Sequence, residues 1–487
     1  MSKPIPSRLM YARFHSEVPT GQCDACSPIH RTNEPAHVSI NVTHVSHAPR
    51  IVLTDSDYLV LGKVPVIIDR TMLDRLDEKI ILESRFSSVL KVLAKVGLLT
   101  WPEDDCACTS QKECNCACEF VENILLTSWL HLTDRCNLRC DYCYLPHVRE
   151  DMTSATGRAA IDATFRSAIA NGFKQVKLKY AGGEPLLRFP LIVELHQYAQ
   201  SLAVQHGINL EGVVLSNGTL LTSAMIETLK SLGLRLMISL DGLAQHHDMH
   251  RRYAGGRGSF ADVAEAVDLA LANGLTPNIS VTVSNRTADG LPDVMAWILE
   301  RELPFSLNFY RENELSASHE DMRLDEEKIT NGMLAAFKVI EDNLPRRPFL
   351  GGMIDRANLS ASHTHTCGVG QNYLVFDQHG QVAKCQMQIR KPITDVHVAD
   401  PLAVIRSDQS GIQNMSVEEK EGCKSCEWKY WCAGGCPLAT HRATGRYDIK
   451  SPNCNIYKAL FPEALRLEGL RLLKYQDDPE VVHKIVA

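Results

Sequence analysis

Cys136, Cys140 and Cys143 stand in CNLRCDYC, directly after the apolar run SWLHL. Three thiolates on one short loop can hold three irons of a cubane [4Fe–4S] cluster and leave the fourth iron without a protein ligand. An open iron is of no use for simple electron transfer; it is what binds a substrate or cofactor at the metal. A zinc knuckle, the competing reading of such a loop, wants four ligands and usually draws them from CxxC pairs. A second concentration of thiols runs through Cys367, Cys385, Cys423, Cys426, Cys432, Cys436 and Cys454. Seven is too many for one cluster and one short of the eight that fill two, although CxxC plus CxxxC would also suit zinc. Cys106, Cys108, Cys114, Cys116 and Cys118, with Cys23 and Cys26 upstream, fit no motif. They could hold a further cluster or zinc, complete a deficient site, or form a reduced loop.

The rest of the composition bounds these readings. The chain has 487 residues and 17 cysteines, with none between Tyr144 and Thr366. Its start, MSKPIPSRLMYARFHSE, has no apolar core of a secretory signal. No apolar run approaches the ~18 residues that span a bilayer. The expectation is a cytoplasmic protein with no membrane partner, whose thiols stay reduced and serve metals or redox chemistry rather than disulfides. A formal net charge of -7 gives no basic field that would draw nucleic acid.

The elements that must position the cysteines follow from periodicity. Candidate strands are Ser128–Leu132, Gln175–Tyr180, Val213–Ser216, Arg235–Ser239, Asn278–Val283 and Phe305–Tyr310. Helix-like stretches follow them, for example Met152–Asn171, Pro190–Gln205, Ser259–Asn273 and Leu291–Glu302. Six βα units in series imply parallel strands with right-handed crossovers, an α/β fold with a partial or complete barrel. Chemistry in such barrels sits at the C-terminal ends of the strands, which is where the motifs fall. The organisation expected is an irregular arm over 1–50, a small α+β module over 51–102, a cysteine-rich linker over 103–122, the barrel over 123–345, a cysteine-rich domain over 346–475 closed by a helix around Tyr457–Leu473, and a tail over 476–487.

CxxxCxxC with an aromatic, Tyr142, before its last cysteine resembles the signature of the radical S-adenosylmethionine (SAM) superfamily. The resemblance implies a (β/α)6 TIM-like partial barrel whose open iron chelates SAM. One electron then cleaves SAM to a 5′-deoxyadenosyl radical that abstracts a substrate hydrogen. Gly182, Gly183 and Glu184 in GGEP resemble the motif that holds the SAM amine; two glycines let the backbone approach a ligand, and a carboxylate accepts from an ammonium. Asn217 stands at the tip of the third strand. The run from Ser239, SLDGLAQHHDMHRRYAGGRGSF, implies Ser239 and Asp241 near the SAM ribose and Arg251 on its carboxylate, as a guanidinium fork suits. His247 and His250 read as capping or polar-surface residues.

The C-terminal array resembles the SPASM domain of radical SAM enzymes that modify peptides and proteins. That likeness implies two auxiliary [4Fe–4S] clusters, three in all. Cys423, Cys426, Cys432 and Cys454 would ligate the outer cluster, and Cys367, Cys385 and Cys436 the inner one. Some relatives supply a further cysteine where this chain has Tyr373, so the fourth inner ligand is open: His363, His365, a stray cysteine or none. Sulfatase-maturing relatives carry an aspartate where this chain has Gln386. The segment 50–102 loosely resembles an element that grips leader peptides by adding them as a strand. The function implied is a maturase acting on a ribosomally made precursor peptide, with a thioether or carbon–carbon cross-link as product and flavodoxin or ferredoxin as electron donor. The alternatives are a maturase of a sulfatase or quinone-bearing enzyme, and a non-catalytic iron–sulfur carrier, which would leave Glu184, Asp241 and Arg251 without a purpose.

Overall fold

The computed structural model describes residues 8–12, 49–54, 57–61, 65–70, 73, 125–316 and 318–486. All six expected strands form: β1 (Leu125–His131), β2 (Gln175–Ala181), β3 (Asn209–Ser216), β4 (Leu234–Ser239), β5 (Asn278–Val283) and β6 (Phe305–Phe309). Helices α1 (Ser154–Ala170), α2 (Phe189–His206), α3 (Ser223–Ser231), α4 (Phe260–Ala272), α5 (Leu291–Glu300) and α6 (Glu326–Asp342) follow them in turn. Local chemistry sets their ends. The Thr153 hydroxyl accepts from the Thr156 N–H to start α1, and Gly207 closes α2 in the left-handed conformation.

The strands pair in sequence order, each parallel to the next, from β1 to β6. Among the described residues no ladder joins β6 back to the far edge, so the array is an open, partial barrel. Its two faces differ. Val176, Leu178, Val214, Ile238, Val281 and Leu307 are buried among apolar residues of the core. The alternate residues Thr127, Lys179, Ser280, Ser306 and Asn308 instead line a cavity of about 470 Å³. Parallel strands covered on both faces read as unbroken apolar runs; the alternation in NISVTV and FSLNF is the trace of this cavity.

The cysteine-rich region is not a separate body. Its strand β7 (Tyr373–Phe376) pairs parallel to β1, with Tyr373 opposite Thr127, and β8 (Gln381–Ala383) continues the sheet antiparallel. Helix α7 (Pro437–Thr444) and the 21-residue α8 (Cys454–Lys474) complete the region. Tyr457 of α8 stacks between Phe309 of β6 and Phe461, at 5.7 and 6.1 Å between ring centres.

The chain termini depart from expectation. Residues 1–50 read as an irregular arm and 476–487 as a tail, yet each contributes a strand. Arg8–Ala12 and Val482–Val486 pair with one another, and Arg8–Ala12 pairs with Pro65–Asp69. With Asp57–Leu61 and Arg50–Val52 they form a five-stranded antiparallel sheet. Five residues carry no legible strand signal when the ladder that stabilises them lies at the other end of the chain. The helices expected between residues 72 and 99, the linker 103–122, and Cys23, Cys26, Cys106, Cys108, Cys114, Cys116 and Cys118 lie outside the described residues.

Candidate active site

The cysteine loop leaves β1 and is clamped from three sides. At the end of β2, the Gly183 N–H donates to the Thr133 carbonyl (2.7 Å) and the Glu184 N–H to that of Arg135 (2.8 Å). A Cβ at Gly182 would lie 2.5 Å from the Thr133 oxygen, and one at Gly183 2.3 Å from the Arg135 oxygen. The paired glycines are therefore required by the chain's own backbone, whatever ligand also approaches them. On the second side, Leu138–Cys140 pairs antiparallel with Arg251–Tyr253, setting Cys140 opposite Arg251. On the third, Asn217 Nδ2 donates to Asn137 Oδ1 (2.9 Å) and lies 3.9 Å from Cys136 Sγ. Arg286 adds an ion pair to Asp141 at 2.5 Å.

Tyr142, Asp241 and Arg251 form one knot beside these thiols. Asp241 Oδ2 accepts from the Tyr142 hydroxyl (2.5 Å) and from Arg251 Nε (2.7 Å), while Oδ1 accepts from the Thr282 N–H (2.8 Å). The Arg251 guanidinium lies 5.2 Å from the Tyr142 ring centre and 4.0 Å from Cys140 Sγ. Burial raises the Asp241 carboxyl, but the Arg251 charge and hydrogen bond outweigh it and hold the group below the usual carboxylate range. Glu184 is fully buried. Its carboxylate accepts from the N–H groups of Leu186 and Asn217 and from the Ser216 hydroxyl at 2.8–2.9 Å. Burial still prevails over these bonds and pushes it up to about 7. Ser239 ends β4 half-buried, its hydroxyl without a hydrogen-bond partner among the described residues. His247 and His250, expected to cap or to lie on the polar surface, are buried. His247 takes the Asp241 N–H on Nδ1 and reaches Ser259 with Nε2, and His250 reaches Ser284. His247 thereby supports the Asp241 turn.

The C-terminal thiols divide into two groups. Cys423, Cys426, Cys432 and Cys454 border one enclosed void with Trp428, Tyr457 and Phe461. Cys367, Cys385 and Cys436 line the barrel cavity. The turn between Cys432 and Cys436 separates the groups. Ala433, Gly434 and Gly435 are all left-handed, at φ 48°, 79° and 70°, and the Thr366 hydroxyl and the Lys420 ammonium donate to the carbonyls exposed by that turn. A Cβ on Gly435 would lie 2.6 Å from that of Ser451. Burial pushes Cys385 and Cys432 each up to about 12. Cys436 is the exception: burial raises it too, but Arg311 and the Ala439 N–H outweigh that and bring it below the ordinary thiol value. Among the described residues no three Cys, His, Asp or Glu side chains converge on a single-ion position.

With this geometry in view, a family model described as the radical SAM superfamily matches residues 130–298. Residues 130–298 form a radical SAM domain. The chain is 26% identical over 366 residues to the serine-type anaerobic sulfatase-maturating enzyme of Klebsiella aerogenes, a match covering 69% of this chain and 86% of that one. It is 30% identical over 171 residues to an uncharacterized protein of Methanocaldococcus jannaschii, covering 35% of this chain but little more than half, 57%, of the relative. A solved structure of native anSMEcpe with bound AdoMet and Cp18Cys peptide shares the fold, with a TM-score of 0.58, 19% identity, and coverage of 71% of this chain and 99% of that one.

A radical SAM enzyme holds SAM at a [4Fe–4S] cluster, and the first cysteine loop fits that group. Burial raises all three of its thiols, Cys136 to about 11. Left alone they are protonated, and a bound metal is what ionises such ligands. Arg139 and Arg251 act on them in the opposite, thiolate-favouring direction. Residues of the cavity that the sequence did not single out are Lys179, Arg311 and Arg356. For Lys179 the one signal was alternation, a lysine at every second position of KLKYA in a parallel strand. His363 and His365 are absent from that wall, which among the described residues holds no histidine, aspartate or glutamate.

Proposed function

We propose that this radical SAM enzyme matures a peptide by net oxidation, and that Cys367, Cys385 and Cys436 hold an inner auxiliary cluster and Cys423, Cys426, Cys432 and Cys454 an outer one. The observation that carries the reading is the single cavity. Its wall runs from Tyr144, next to Cys143, across the inner faces of β1–β6 to the three inner cysteines. About 470 Å³ has room for a short stretch of chain and none for a folded domain. When bound, the clusters supply the electron that cleaves SAM and accept the electron the substrate gives up. The chain's residues do the positioning. Glu184 and Ser239 offer acceptors to SAM, Asp241 fixes Tyr142 and Arg251, and Asn217 steadies the turn after Cys136.

The similarity to a sulfatase-maturating enzyme favours a second reading, oxidation of a sulfatase residue. Two features weigh against it. Gln386, whose Oε1 accepts from Tyr373, stands where those relatives carry aspartate. No carboxylate or imidazole on the described cavity wall is placed to take a proton from a substrate serine. The test is anaerobic reconstitution with iron, sulfide and zinc counted, then reduction with SAM and a short precursor peptide taken from an open reading frame neighbouring the gene. About twelve irons, steady 5′-deoxyadenosine and a peptide lighter by two hydrogens are expected. Four irons with zinc in the remainder, or an unchanged peptide mass, would sink the oxidative reading.

A further inference from the structure

We infer that the cavity between the cysteine loop and the inner cysteines binds a carboxylate of the substrate, held by Lys179 and Arg356. The inference rests on the peptide reading above and names what part of the peptide enters.

Three cations line the cavity, and among the described residues no aspartate or glutamate does. Arg311 is already answered from behind the wall: its guanidinium donates to Asp355 Oδ1 (2.7 Å) and to the Phe309 carbonyl (2.8 Å). Asp355 is fixed in turn by the Tyr457 hydroxyl (2.7 Å). Lys179 and Arg356 have no such partner. Neither makes an ion pair or hydrogen bond to a described residue, and the Lys179 ammonium lies over the face of Tyr373, 5.6 Å from the ring centre. The adjacent lysine on the same strand behaves normally, since Lys177 pairs with Glu211 at 3.6 Å. Both are half-buried, and a cation partly withdrawn from water with no counter-charge beside it is costly unless a ligand completes it.

A cluster on the inner cysteines would answer part of this charge. Three thiolates on an oxidised cubane leave about one net negative charge, which meets one of the two cations. The other remains, and it faces the cavity that runs from Tyr144, next to Cys143, to the inner cysteines. A neutral chain segment would strand it; a carboxylate would not. The carboxylate could come from an acidic side chain or from a free C-terminus, and the geometry serves both.

The experiment uses the iron-replete, full-length enzyme with SAM. Three small probes are titrated, with binding read from broadening of their proton NMR lines: N-acetyl-glutamate amide, N-acetyl-alanine with its free carboxylate, and the neutral N-acetyl-glutamine amide. At least one carboxylate probe should bind about tenfold or more tightly than the neutral one. Lys179→Met and Arg356→Gln should each weaken that probe about tenfold, and Lys179→Arg should recover most of the loss. The probe that binds identifies the side-chain or terminal source. Three outcomes overturn the inference: equal binding of the neutral probe, no binding of either carboxylate probe, or loss of C-terminal iron in the two variants, which would assign the cations to the cluster alone. None depends on catalysis, so a wild-type enzyme that makes no 5′-deoxyadenosine would fail the functional reading separately.

Discussion

Two groups of three cysteines stand at the barrel, one on the loop after β1 and one in the cavity wall, and their surroundings differ. Around Cys136, Cys140 and Cys143 the charges are tied to one another: Asp241 to Arg251, and Asp141 to Arg286, which also reaches Asp321. Of the three cations that line the cavity by Cys367, Cys385 and Cys436, Arg311 is tied, and Lys179 and Arg356 have no ion-pair partner among the described residues. A site that always receives one ligand can be organised in advance, with its dipoles and charges fixed before the ligand arrives. A site that receives a peptide must leave part of its charge for the peptide to complete. On the function proposed above, the first three-cysteine site would be a built cofactor site and the second half of a substrate site.

The largest effect that tests this contrast is removal of a thiol from the built site. Cys140→Ala should abolish 5′-deoxyadenosine formation while most of the C-terminal iron, about two thirds of the total, stays bound. Unchanged turnover in this variant would remove Cys140 from the chemistry. Next comes the knot itself. Asp241→Asn keeps the shape but loses the charge that holds Arg251, and one oxygen that serves both Tyr142 and Arg251. A misplacement of this kind costs on the order of a hundredfold in rate, so SAM cleavage should fall by about that factor with iron content intact. Iron lost in proportion to activity would make Asp241 a structural residue of the loop.

The contrast was only half legible in the sequence. CNLRCDYC and GGEP announce themselves because a cluster loop and a tight strand end need particular residue types within a few positions. The six βα units were equally legible, each strand such as NISVTV being bounded by a helix-period segment. What escaped were the pairings made at long range. Nothing local places Leu138–Cys140 against Arg251–Tyr253, β7 against β1, or the two ends of the chain side by side. Lys179 and Arg356 lie 177 positions apart, and each alone is an ordinary surface residue by type; only the fold brings both to one wall. The GG of CAGGC did carry a readable signal. Two glycines between cysteines ask for positive φ, and that turn is what sends Cys432 and Cys436 to different sites.

Gly435→Ala probes that turn. It forces a side chain into a left-handed residue and against Ser451, at a cost of order 1–3 kcal/mol. Because Cys432 and Cys436 flank it, both C-terminal groups should lose iron together, while the SAM-responsive EPR signal of the first loop persists. Loss from one group alone would show that the two sites are not coupled through this segment.

The smallest expected effect is the baseline against which the others are judged. Asp325 caps α6, its carboxylate accepting from the Lys328 N–H at 2.8 Å, with Glu326 and Glu327 adding to the first turn. The cap is exposed, lies on the outer helical layer, and contacts no cysteine. Asp325→Ala should cost about 1 kcal/mol and lower Tm by about 2 °C or less in a chain of this size. Iron content and probe binding in the cavity should not move. If this variant also sheds iron from the inner cysteines, then small losses of global stability are enough to empty that site. The Gly435 result would in that case report on stability rather than on the turn. If iron holds, the difference between the tied and the open site belongs to the residues that line them.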